Sequence, residues 1–306
     1  MKVAILNAGT GWHTDDLCRA LDERGHTGVV RPYESLVARL GAPRRTVGLS
    51  SGDASLFDVD AVLARIIPGG SLEQIIYRVN ALHWLEQRGL LVINSPRAIE
   101  RTVDKFYTTA LLQEAGLPVP ETVVCEGPVD AMAAVQAMGD VVIKPIFGSM
   151  GHGLVRVSDP DVAFRVVQSL EQLRTVFYVQ RTVDHGGRDI RVFIVGGFVL
   201  GAIERIAPDG DWRTNIARGG TARPFTLPPE WEQLALRAAA VVRADYAGVD
   251  LLPCRDGRVF VLEINGIPGW RGLQKATGLD VAGALIDHLM SRVRSPRITT
   301  AAGSQA

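Results

Sequence analysis

Residues 249–265 read VDLLPCRDGRVFVLEIN, two apolar strand-like runs joined by Asp256-Gly257. Asp-Gly between β-rich runs is the strongest short-range hairpin signal, and a two-residue turn at 256 and 257 sets Asp250 opposite Glu263. Strand side chains repeat every second residue, so Asn265 shares the face of Glu263. Two carboxylates and an amide converge. Like charges facing each other in a ladder are destabilising and drive one carboxyl pKa up unless a cation relieves them. Oxygen-only ligands suit Mg²⁺, which usually arrives with substrate phosphates. The stretch is therefore either a metal site or a solvated strand end whose acids never meet. Pro253, which cannot donate to a ladder, threatens the register.

A chain of 306 residues has length for one large domain or two to three small ones. A hydrophobic content of 47% with 22% charge marks a globular protein, and 33 basic residues balance 33 acidic ones. That balance argues against a dedicated nucleic-acid or membrane-surface binder and leaves small anions as partners. Cys18, Cys125 and Cys254 lie far apart with no CxxC pair, so neither a disulfide framework nor a zinc site is suggested. A reducing cytoplasm is the expected location. The opening MKVAIL is too short for a signal segment, and no apolar run reaches membrane-spanning length.

KVAIL reads as a buried strand, NAGTGWH as a tight turn without the full GxGxxG spacing, and Thr14 as the cap of a following helix. Strand DVDAVLARI, helix SLEQIIYRVNALHWLEQRG and strand LLVINSP continue the alternation, which implies a Rossmann-like parallel sheet over residues 1–95. A helical stretch containing ERTVDKFYTTALLQEAG and the proline-bounded GLPVPETVV open a second, α+β unit over 96–182. From Asp189 the pattern turns hairpin-rich, with a turn at Gly196-Gly197, a long loop PDGDWRTNIARGG and the Asp256-Gly257 hairpin, giving a third unit over 183–294. Residues 295–306 form a polar tail. The fold class is α/β with α+β subdomains.

VVIKPIFGSMGHGLVRV carries Lys144 on a strand, then Gly148, Gly151 and Gly153, then a second strand. Glycines let backbone N–H groups approach an anion, and a lysine on the adjoining strand adds a compact positive charge. The GxxxxGK[ST] spacing is absent and no helix follows, which excludes the usual P-loop. Such a loop is either a phosphate cradle or a flexible turn whose lysine snorkels to solvent. With the Asp250, Glu263, Asn265 cluster downstream, the two motifs make complementary halves of a nucleotide site.

Beyond these motifs, NSPRAIERTVDK, YVQRTV, RDIRVFIVG, AIER, DWRTNIARGG, AGVDLL, VLEINGIPG and TGLDVAG complete a series in which the chain resembles the ATP-grasp ligases, in particular the RimK-like group that joins glutamate or a similar amino acid to an acceptor. The resemblance covers all but the first ninety or so residues closely. It implies a three-part ATP-grasp fold, and a reaction in which ATP converts a carboxylate to an acyl phosphate that an amine then attacks. ATP and Mg²⁺, with Mn²⁺ as a possible substitute, are the implied cofactors; a carboxylate and an amino acid are the substrates.

The same resemblance implies roles. Lys105, Lys144 and the loop residues Gly148, Ser149, Met150 and Gly151 would meet the nucleotide phosphates; Gln180 and Arg181 would sit at the hinge where main chain after Val179 reads adenine. Many relatives carry an acid where Arg181 stands. Asp189 would meet the ribose or its neighbourhood. Arg213 and Asn215 would point to the triphosphate, with Arg218 stabilising developing charge, and Asp250, Glu263 and Asn265 would hold the metal. Arg191 and Arg205 are candidates for a substrate carboxylate, or partners of Glu204 across the Gly196-Gly197 hairpin. Trp270 beside Arg271 either faces an acceptor or packs. The run NGIPGWRGLQKATG looks most like members that add glutamate to tetrahydromethanopterin; a peptide, a carrier protein, or a non-catalytic regulator that kept the fold are the alternatives. The six histidines share no metal or triad spacing, and only His152, in the glycine loop, invites a test. A homodimer or a dimer of dimers is the expected assembly.

Overall fold

A computed structural model describes residues 1–41, 48–52, 54–148, 153–216 and 219–294. The chain falls into two units, Met1–Pro96 with the segment from Val281 onward, and Arg97–Asp280. Among the described residues no helix is long and apolar enough to cross a membrane.

In the first unit β1 (Lys2–Asn7), α1 (Trp12–Asp22), β2 (Thr27–Pro32), β3 (Leu36–Arg39), β4 (Gly48–Ser51), β5 (Ala54–Ser55), β6 (Ala61–Ala64), α2 (Leu72–Gln87) and β7 (Leu91–Ile93) follow in order. A parallel sheet runs β2-β1-β6-β7, and β3-β4-β5 form a small antiparallel one. Val3, Ala4, Ile5 and Leu6 of β1 and all four residues of β6 are buried, the continuous apolar run of a parallel strand covered on both faces. Ser71 and Gln74 close a capping box on α2. The start of α1 differs from expectation. Gly11 occupies the cap position, and Thr14 lies buried inside the first turn, where its hydroxyl accepts from Asn7 Nδ2 at 2.7 Å.

The second unit holds α3 (Pro96–Val103), α4 (Lys105–Glu114), β8 (Thr122–Cys125), α5 (Pro128–Met138), β9 (Val141–Lys144), β10 (Val155–Val157), α6 (Pro160–Gln172), β11 (Phe177–Arg181), β12 (Arg188–Val195), β13 (Phe198–Ile206), β14 (Thr221–Pro224), α7 (Pro229–Val242), β15 (Tyr246–Pro253), β16 (Val259–Asn265) and α8 (Arg271–Thr277). The helical run expected to be continuous breaks at Asp104, whose extended backbone ends α3 while its carboxylate accepts from Tyr107 N at 2.9 Å to start α4. Two antiparallel sheets result, β10-β9-β11-β8 and β14-β13-β12-β15-β16. On the first, α5 and α6 bury Ala131, Val135, Ala163 and Val167 against Val141, Ile143, Phe177 and Val179. On the second, α7 buries Ala235, Ala238 and Val242 against Ile190, Val192, Val249 and Leu251, with Leu112 of α4 in the same core. The last helix, α9 (Val281–Arg294), groups with the first unit, where it packs on α1 and β7, and Arg24 Nε pairs with Asp287 at 2.7 Å.

The decisive hairpin forms with a different turn. Its loop has three residues, Arg255, Asp256 and Gly257: Gly257 N donates to Cys254 O at 3.1 Å and Cys254 N to Arg258 O at 2.8 Å, with Gly257 at φ 88°. This is the turn-plus-left-handed-glycine geometry of three-residue hairpins. The change of loop length shifts the ladder near the turn, so that Leu251 faces Val261. A bulge at Leu262 then restores the pairing of Asp250 with Glu263 and of Gly248 with Asn265.

Candidate active site

Three adjacent strands of the larger sheet place Arg191 (β12), Asp250 (β15) and Glu263 (β16) in one row, Arg191 opposite Asp250 and Asp250 opposite Glu263. All three line one cavity of the second unit, together with Asn265, Arg205, Lys105, Lys144, Arg213 and Asn215. Both strand ends and the smaller sheet thus contribute charge to a single concavity.

The acidic side is already partly compensated. Arg191 forks onto both carboxylate oxygens of Asp250, with Nη2 to Oδ2 at 2.8 Å, and Arg205 Nη2 reaches Asp250 Oδ2 at 3.0 Å. Burial raises the Asp250 pKa, but the two guanidiniums outweigh it and hold the carboxyl below the usual range. Arg205 also forks onto Asp189, Nε to Oδ1 at 2.7 Å and Nη2 to Oδ2 at 2.6 Å, and Thr214 Oγ1 donates to Asp189 Oδ2 at 2.6 Å. A buried chain Thr214–Asp189–Arg205–Asp250–Arg191 results. Asp189 is 3% exposed, and its oxygens serve this chain. The alternative pairing of Arg191 or Arg205 with Glu204 does not form: buried Glu204 binds Arg188, at 3.1 Å, and Arg223. The cross-strand register explains this, since Glu204 faces Ile190 while Arg205 faces Asp189.

Glu263 has no hydrogen-bonding partner among the described residues. Asn265 Oδ1 accepts from Ile267 N at 2.9 Å, which leaves one lone pair on that oxygen. Among the described residues no group of three or more His, Cys, Asp or Glu side chains is placed to hold a metal. A divalent ion here would rest on Glu263, Asn265 and a share of Asp250, an all-oxygen donor set that fits Mg²⁺.

On the opposite side, Lys144 ends β9 facing Tyr178, and its Nζ donates to Gln180 Oε1 at 2.6 Å. Burial pulls this ammonium down to about 8, with Glu263 pulling it up and Lys105 adding to the depression. Gln180 is 3% exposed and its amide donates to Thr122 Oγ1 at 2.9 Å, so its side chain braces the lysine. Arg181 is tied to Glu121 at 2.7 Å and to Met138 O at 2.8 Å; Thr182 and Val183, the next residues, line the cavity, and the Val183 N–H has no partner among the described residues. Lys105 Nζ donates to Gly148 O at 2.6 Å, holding the entry of the glycine loop. Arg213 is clamped by Asp211 at 2.9 Å, and its guanidinium holds that carboxyl down at about 2.

Ser149, Met150, Gly151, His152 and Arg218 lie outside the described residues. Trp270 is fully buried, edge-on to Phe193 at 6.5 Å between ring centres, so it offers no face to an acceptor. Arg271 begins α8 and does not line the cavity. Sequence reading missed Thr214, Thr122, Asp211 and His185; the first two are unremarkable hydroxyls whose partners come from distant strands, whereas Asp211 two residues before Arg213 was a readable local pair. Gly248 was also missed. A Cβ there would meet Arg191 Nη1 at 2.9 Å and Pro268 Cβ at 3.0 Å, so a side chain at 248 would crowd the arginine where it reaches Asp250.

Residues 102–289 match the RimK-like ATP-grasp domain, and residues 1–99 match the RimK PreATP-grasp domain. The chain belongs to the RimK-like ATP-grasp family. It is thereby an ATP-dependent ligase. Its relatives include the tetrahydromethanopterin:alpha-L-glutamate ligase of Methanosarcina acetivorans, 34% identical over 79% of this chain and 83% of that one. A probable alpha-L-glutamate ligase of Aliivibrio fischeri is 33% identical over 98% of this chain and 99% of its own. Among solved structures, a RimK domain ATP-grasp protein from Sphaerobacter thermophilus superposes with a TM-score of 0.74 at 24% identity, over 94% of this chain and 99% of that one. The ATP-grasp ligase PsnB, complexed with minimal precursor, Mg and ADP, superposes with a TM-score of 0.73 at 22% identity, over 96% and 98% of the two chains. These likenesses establish the ATP-grasp fold, with its N-terminal parallel sheet and two α+β sheets.

Proposed function

We propose that this RimK-like ligase uses ATP to activate a carboxylate as an acyl phosphate and joins it to the amine of L-glutamate, releasing ADP and phosphate. The observation that carries the reading is the convergence of Lys105, Lys144, Arg213 and Asn215 with Asp250, Glu263 and Asn265 on one cavity. Phosphoryl transfer needs positioning and charge stabilisation more than covalent chemistry, so no protein nucleophile is required. Lys144 and Lys105 supply positive charge to phosphate oxygens; Arg213 adds a fork on the far wall. Main chain at Arg181 to Val183, with the unpartnered Val183 N–H, is suited to a base edge. Mg²⁺ held by Glu263, Asn265 and Asp250 would neutralise charge on the transferring group.

Glutamate is favoured because both named relatives are glutamate ligases, and a cofactor-like acceptor such as tetrahydromethanopterin is favoured by the Methanosarcina acetivorans relative. Incubation with ATP, Mg²⁺, each common amino acid in turn and candidate acceptors, followed by phosphate release and product mass, tests the reading. Glutamate-dependent phosphate release with a product one glutamyl residue heavier is expected. Release that depends on another amino acid, or a peptide acceptor alone gaining mass, would replace it.

A further inference from the structure

The Asp250 carboxylate is shared by two arginines. Arg191 takes both oxygens and Arg205 takes one of them again, which occupies three of about four lone-pair directions. Asp250 also faces Glu263, the carboxylate with no partner among the described residues. A divalent ion drawn to that pair arrives next to the Arg191 guanidinium, and like charges at that spacing repel. Of the two arginines, Arg191 is the freer to give way. Arg205 is locked by its fork onto Asp189, and its side chain is 8% exposed against 15% for Arg191. Arg191 has no second carboxylate among the described residues.

Resting on the ligase reading above, we propose that Arg191 is a transferable cation: paired with Asp250 while no metal is held, it passes to a carboxylate of the incoming amino acid when a divalent ion takes Asp250. Arg191 lines the cavity, so its fork is within reach of a carboxylate bound there. Metal and amino acid then bind with positive coupling, because each removes a competitor of the other, and the coupling is reciprocal. Arg191 is thus a positioning residue for the metal and a binding residue for the substrate.

The test is Mn²⁺ titration of the full chain by calorimetry, with and without L-glutamate as the probe carboxylate. Arg191→Gln is expected to bind Mn²⁺ about ten-fold more tightly than the parent chain. L-Glutamate is expected to tighten Mn²⁺ binding by a similar factor in the parent and to leave Arg191→Gln unchanged. Equal Mn²⁺ affinity in the two chains, or a glutamate effect that survives in Arg191→Gln, overturns the hand-over. Should Arg191→Gln not fold, Arg191→Lys decides: it keeps a charge and loses the fork, so tighter Mn²⁺ binding than the parent supports the proposal and unchanged binding ends it. Glu263→Gln separates the two readings. If it binds Mn²⁺ as well as the parent, the ion sits elsewhere and the metal assignment falls with the hand-over; if it loses Mn²⁺ while Arg191→Gln is unchanged, the hand-over alone falls.

Discussion

Lys144 Nζ donates to Gln180 Oε1 at 2.6 Å, so a neutral amide, not a carboxylate, is the hydrogen-bonding partner of this cavity lysine. With its pKa lowered to about 8, Lys144 is mostly protonated at neutral pH and loses its proton as pH passes about 8, and an arriving phosphate favours the charged form.

ATP affinity is therefore expected to fall as pH rises through about 8, with net proton uptake on binding. Calorimetry in buffers of different ionisation enthalpy measures that uptake. Lys144→Arg, always charged, should remove the pH dependence. For the empty protein the sign is opposite: the folded state binds fewer protons than the unfolded one between about 8 and 10.5, so the Lys144 contribution to stability rises with pH across that window.

Glu263→Ala should leave the fold nearly untouched, within about 0.5 kcal/mol, because the side chain makes no hydrogen bond among the described residues. ADP release in the presence of both substrates should collapse by two orders of magnitude or more. Denaturant melts beside a coupled ADP assay check both, and unchanged turnover would remove Glu263 from the metal assignment.

Asp189→Ala separates bracing from ribose contact. It leaves the buried Arg205 with Asp250 alone, Nη2 to Oδ2 at 3.0 Å, and loss of about 1.5–3 kcal/mol of stability is expected by chemical denaturation. A variant of normal stability with only a raised KM for ATP would show that Asp189 serves the nucleotide instead.

Gly248→Ala pushes a methyl group to 2.9 Å from the Arg191 guanidinium. A stability loss of about 1–3 kcal/mol is expected from overpacking, with ligase turnover falling further than stability explains. Thermal melts and kcat/KM on the same preparation check it.

Much of this was legible in sequence because the signals were local. Period-2 alternation, Gly196-Gly197 and Asp256-Gly257 located the hairpins, and the Asp250–Glu263 pairing came out right through two departures that cancel: a third loop residue at Arg255 and an extra residue at Leu262. A bulge carries little sequence mark, since it is set by how the strand must bend. Trp270 beside Arg271 reads as a recognition pair, yet burial of an indole at a helix start is decided by Phe193, far along the chain. Asp189 likewise is expected, from the resemblance, at the ribose or its neighbourhood. Its partner Arg205 comes from the cross-strand register, which no window of neighbouring residues contains.

The membership of α9 in the first unit has a practical corollary. Residues Met1–Pro96 on their own lack the helix that covers α1 and buries Leu285, Ile286 and Leu289, so the middle segment is, in cloning terms, an insertion with two splice points. Expressing the N-terminal segment by a simple stop codon would yield a fragment with an open apolar flank; fusing residue 96 to 281 through a linker is the cut that respects how the polypeptide is partitioned.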